Sequence, residues 1–93
     1  MKAYWNDTLI AESDDTRIVE NNHYFPMKDI RLEYFIKSPL NTRCVWKGEA
    51  SYFHIKVDGE LNKDAAWYYP TTSHAAKPIE NYVAFWKGVK VSE

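Results

Sequence analysis

Turn-forming residues punctuate this chain so often that a meander of short strands is the arrangement its first third most readily adopts. Asn6-Asp7, Ser13-Asp14-Asp15 and Asn21-Asn22 separate β-favouring runs, and Pro26 ends the series because it has no N–H to give to a ladder. The spacing predicts strands over 2–5, 8–12, 16–20 and 23–25. Further on, Asp58-Gly59 is a strong hairpin signal. A strand is expected over 65–69 before Pro70, and another over 82–91. Between them, 71–78 reads as a loop of small and polar residues that leaves His74 in solvent.

One segment carries both periods. Ile30 and Tyr34 are four apart, while Leu32, Tyr34 and Ile36 alternate. Pro26 suits a helix start, Asp29 its positive end and Lys37 its negative end, before Ser38-Pro39 interrupts, so a short helix is expected near 27–37.

The stretch 44–58, CVWKGEASYFHIKVD, reads as the central strand. Its apolar positions change sides along the run: Trp46, Ala50 and Tyr52 are even, whereas Phe53, Ile55 and Val57 are odd. A flat period-2 strand does not do this, so a bulge near 48–51, or a strand passing from one sheet to another, is expected there, with a cleft at the corner.

Ninety-three residues suffice for one domain, 1–93, and one core. Aromatics make up 16% of the chain, and Trp5, Trp46, Trp67 and Trp86 are spread along it, so most rings are needed inside. The net charge of −1 argues against the basic field of a nucleic-acid partner. No run approaches a membrane span or a signal-peptide core, and the lone cysteine, Cys44, rules out an internal disulfide and a four-thiolate zinc site. These features are those expected of a soluble protein of a reducing cytoplasm with no nucleic-acid or membrane partner.

Chemistry-bearing patterns are sparse. Gly48, Gly59 and Gly88 lie far apart and form no phosphate cradle, Asp14-Asp15 reads as a turn, and His23, His54 and His74 lack ligand spacing. No metal or cofactor is therefore expected. The better physical case is a small-molecule cleft walled by Trp46, Trp67, Tyr69 and Trp86, with Lys47, Arg43 or Glu20 fixing a polar end and Cys44 packed beneath. The alternatives are an enzyme using Cys44 as a thiolate or Lys47 as a charge, assisted by Glu20 or His54, and a domain that forms homo-oligomers through exposed sheet edges.

Several segments together resemble one family. They are Trp5, LIAES at 9–13, Thr16, Glu20, HYFP at 23–26, TRCVWKGEASY at 42–52, AAWYYP at 65–70 and YVAFWKGVKV at 82–91. In this pattern the chain resembles the domain of unknown function 427, also labelled a nucleotidyltransferase domain. Val45 stands where that family usually has proline, and Ser38-Pro39-Leu40-Asn41 replaces its more common Ser-Asp loop. The resemblance implies a mainly β, β-tent-like domain of two antiparallel sheets meeting at an angle. Many proteins of that fold hold zinc with two cysteine pairs, which this chain lacks, and one binds its ligand in a cage of tryptophans, which Trp46, Trp67 and Trp86 would form here by analogy. Nucleotidyl transfer needs carboxylates gathered on divalent metal, and the sequence shows no such set.

Overall fold

A computed structural model describes all residues 1–93. The chain is mainly β, with 61% of residues in strands and 13% helical, in two antiparallel sheets. The strands in chain order are β1 (Lys2–Trp5), β2 (Thr8–Glu12), β3 (Arg17–Val19), β4 (Asn22–Pro26), β5 (Phe35–Cys44), β6 (Gly48–Val57), β7 (Glu60–Tyr68), β8 (Tyr82–Phe85) and β9 (Lys90–Ser92). One sheet has the order β2-β1-β9 and the other β3-β4-β8-β7-β6-β5. No helix is long and apolar enough to cross a membrane.

Four tight turns build the hairpins and the step between sheets. Asn6-Asp7 (φ 52° and 57°), Glu20-Asn21 (53° and 66°), Asp58-Gly59 (51° and 79°) and Lys87-Gly88 (53° and 86°) all take two successive left-handed residues, as a two-residue turn between right-twisted strands requires. Asn, Asp and Gly tolerate that region, whereas Glu20 and Lys87 occupy it at a steric cost. The Lys87-Gly88 turn also divides the expected 82–91 strand in two, sending β8 to the six-stranded sheet and β9 to the other.

Two cores lie on opposite faces of the six-stranded sheet. The first joins the two sheets and includes Ala3, Ile10, Phe25, Phe53, Ile55, Val57, Val83 and Phe85. The second contains Tyr24, Ala50, Tyr69, Ala76, Ile79 and Ala84. Its cover is the segment after β7, which forms a 3-10 helix over His74–Ile79 where a loop is expected, because Ala76 and Ile79 turn inward and are buried. Glu80 fastens this segment by accepting from the Thr72 N–H at 3.1 Å and from the Lys77 ammonium.

These two cores explain the apparent change of face along 44–58. Ala50 and Tyr52 pack toward the second core, while Phe53, Ile55 and Val57 pack into the first, so β6 keeps its alternation and stays in one sheet. The irregular register lies between Phe53 and Ile55, where β7 bulges around Asp64 (φ 54°), and not near 48–51. The strand is also shorter than expected, since Val45–Lys47 form the turn between β5 and β6.

Helical character near 27–37 is confined to two 3-10 turns, Met27–Asp29 and Leu32–Tyr34. Between them the Arg31 N–H donates to the Ile10 carbonyl at 2.9 Å, and Ile30 bridges Ala11. Phe35 then opens β5 with its ring 5.5 Å from Phe53 and 6.0 Å from Phe85. Packing of that ring outweighs the modest helix preference of the local sequence.

Candidate functional site

The second core opens at one end into a shallow depression of about 190 Å³ lined by Lys47, Tyr52, Trp67, Tyr69 and Trp86. Register explains why these side chains meet. Trp67 on β7 stands opposite Tyr52 on β6 and Ala84 on β8, so all three project from one face, and the small Ala84 leaves space beside the indole. The Trp67 ring meets Tyr24 edge-on at 6.2 Å and Trp86 edge-on at 5.9 Å.

Both indole donors are used inside the fold. Trp67 Nε1 donates to the Tyr24 hydroxyl at 3.2 Å, and Trp86 Nε1 donates to the Asp64 carbonyl at 2.5 Å. Tyr52 shares a 2.8 Å hydrogen bond with Thr42. The rings are thereby fixed in orientation, although Trp86 is 46% exposed. The Tyr69 hydroxyl, in contrast, has no hydrogen-bond partner within the chain.

Lys47 supplies the charge. It is only 6% exposed, reaches in from the β5–β6 turn, and forms an ion pair with Glu20 on the β3–β4 turn. Its Nζ lies 5.3 Å from the Trp46 ring centre and 5.6 Å from that of Tyr69. The turn is held by the covering segment: the Ser73 N–H donates to the Lys47 carbonyl at 3.0 Å, and the Ser73 hydroxyl donates to the Trp46 carbonyl.

Burial pulls the Lys47 ammonium toward the neutral form, but the hydrogen bond to Glu20 and the Tyr24 and Tyr69 phenols outweigh it and hold the pKa above its usual value. Lys47 is thus a charge and a donor at neutral pH, not a free amine nucleophile. The Lys47 hydrogen bond holds Glu20 below the ordinary carboxylate range against some desolvation. Burial pushes the Tyr69 phenol from 10.0 up to about 12, with the Lys47 charge acting in the opposite direction.

A pH dependence follows. A phenol whose folded pKa is raised contributes stability that is complete below its unfolded pKa and is lost as pH climbs through the folded value. Lys47 acts in the same sense. Urea midpoints are expected to fall between pH 10.0 and about 12, and Tyr69→Phe is expected to flatten that fall. An equally steep fall in the variant would show that Tyr69 does not contribute.

The other residues singled out from sequence occupy different positions. Trp46 is 42% exposed at the rim, beside Lys47 but outside the lining. Cys44 is half-buried against the second core. Arg43 is exposed on β5 opposite Glu49 and is not brought to the depression. His54 lies at the β7 bulge, where its Nδ1 accepts from the Asp64 N–H at 2.9 Å, and Asp64 in turn accepts from Ser38. Sequence reasoning missed Tyr24 and Tyr52; the alternation of Ala50 with Tyr52 was the available signal for the second.

Two larger depressions lie elsewhere, the first lined by Tyr4 and Trp5 together with polar residues and the second by polar residues alone. One of about 570 Å³ borders the Asn6-Asp7 turn and Lys90, and one of about 320 Å³ borders Glu12, Asp14, Asp15 and Lys28. Neither has a buried charged anchor, so chemistry favours the smaller aromatic one. No group of three His, Cys, Asp or Glu side chains is placed to hold a metal ion.

A comparison with curated proteins finds no match. The family model labelled NTP_transf_9 and described as Domain of unknown function (DUF427) matches residues 1–93. Because that match spans every residue, the chain belongs to the DUF427 family.

Proposed function

We propose that the chain is a binding module for a small planar molecule, which lies against Trp67 and Trp86 in the depression they line, with one polar end toward Lys47 and Tyr69. The observation that carries this reading is a partly exposed aromatic surface already locked by internal hydrogen bonds, next to a nearly buried ammonium and an unpartnered phenol. Rings held in place lose little freedom on binding, so contact energy is retained as affinity. The volume of about 190 Å³ corresponds to about six water molecules at ~30 Å³ each, which suits a one- or two-ring ligand.

The test is a fragment titration read by the indole N–H resonances of isotope-labelled protein. Planar two-ring compounds are expected to shift the Trp67 and Trp86 signals saturably while leaving Trp5 unmoved. Equal small drifts at all four indoles, or no shift at millimolar ligand, would reject the site.

A further inference from the structure

We infer that the ligand class is a planar carboxylate, and that its acid group binds by displacing Glu20 from Lys47. This rests on the binding reading above and adds to it the chemistry of the polar end.

The Lys47–Glu20 pair is asymmetric. Lys47 has a side chain 8% exposed and packed among rings, whereas the Glu20 side chain is 55% exposed. Lys47 is held in place between the Trp46 and Tyr69 rings, with its ammonium at the wall of the depression. Glu20 can rotate outward and hydrate its charge in place. Its backbone sits in the left-handed region at φ 53°, an unfavourable conformation for glutamate that the fold tolerates at this turn. Glu20 is also the sole acidic partner of Lys47, and an ammonium has three donors.

Exchanging one carboxylate for another keeps the buried charge paired throughout, so the ligand meets no cost of stranding a cation. Tyr69 lines the same depression and offers its hydroxyl as a donor to the ligand's second oxygen, while the ligand ring packs against Trp67 and Trp86. A neutral amide would leave Glu20 in place and gain less. An amine would meet like charge at Lys47. A phosphate monoester carries more negative charge than one ammonium balances, and Arg43 does not reach the depression to assist.

The experiment titrates the protein with 2-naphthoate, 2-naphthamide, 2-naphthyl phosphate and 2-naphthylmethylamine by calorimetry and the indole resonances. The acid is expected to bind about threefold more tightly than the amide, since the charge-assisted bond that it gains at Lys47 is partly offset by the loss of Glu20. Glu20→Gln removes the competing carboxylate and is expected to tighten acid binding severalfold with the amide unchanged. Lys47→Met keeps the stem and is expected to reduce acid binding to the level of the amide. Equal binding of acid and amide by the unmodified protein would overturn the carboxylate assignment while leaving the site intact, as would preference for the phosphate or amine, or weaker acid binding by Glu20→Gln. If none of the four binds, the site and this assignment fall together. The unmodified protein alone decides the main comparison, so it does not depend on either variant folding.

Discussion

Gly48→Ala is expected to destabilise the protein by about 2–4 kcal/mol, the range for a residue that meets both steric conflict and a forbidden backbone region. Gly48 has φ 124°, and a Cβ there would come within 2.9 Å of the Thr71 carbonyl oxygen. That oxygen belongs to backbone, so no side-chain rotation relieves the clash. The covering segment must move away, and with it go the Gly48–Thr72 bridge and the Ser73 hydrogen bond to Lys47. Gly59→Ala is the matched control. Its φ is 79°, but nothing lies within 4 Å of the added carbon, so a cost of about 1–2 kcal/mol is expected from the left-handed conformation alone. Urea unfolding measures both, and hydrogen exchange at the Ser73 amide reports whether the segment has lifted. Equal costs at the two glycines would show that the contact with Thr71 is unimportant.

Trp67→Ala is expected to cost about 2–3 kcal/mol, at or just below the low end of the range for truncating a buried aromatic, because Trp67 is half-buried against the second core. The indole joins Tyr24 to Trp86, and its loss also leaves the fully buried Tyr24 hydroxyl without its donor. Trp67→Phe retains much of the ring contact but not the N–H, so it is expected to lose about 1–2 kcal/mol, near the worth of one hydrogen bond left unmade. Urea midpoints separate these values, and the Trp86 indole resonance is expected to move much further in the alanine variant. A loss below 1 kcal/mol for Trp67→Ala would mean that Trp67 is a surface residue energetically.

The meander from Lys2 to Pro26 was legible because Asn and Asp tolerate the left-handed turns at Asn6-Asp7 and Asn21. The β5–β6 turn was not, because Val45-Trp46-Lys47 contains no turn-forming residue. It closes through Gly48 and contacts with Thr72 and Ser73, which are remote in sequence. The start of β5 was hidden for a related reason: Phe35 is drawn into a strand by Phe53 and Phe85, neither of them a neighbour in the chain. At the candidate site, Trp67, Trp86 and Lys47 were recognisable as residue types suited to a cleft. That Trp46 stays at the rim and Arg43 points elsewhere depended on where the turn falls, and the Glu20–Lys47 pair depended on two turns meeting in space.

The six-stranded sheet with a core on each face works as a partition wall. Phe25, Ile55 and Val83 secure the join between sheets on one side, while Tyr24, Tyr69 and Ile79 support the depression on the other. The segment 70–81 covers only the second side, and its amides are expected to open by local unfolding before those of the first core. Such a scaffold separates heritable change in what is bound from change in whether the chain folds: ligand preference can diverge through Tyr52, Lys47 or Trp86 while the wall and its far side stay intact.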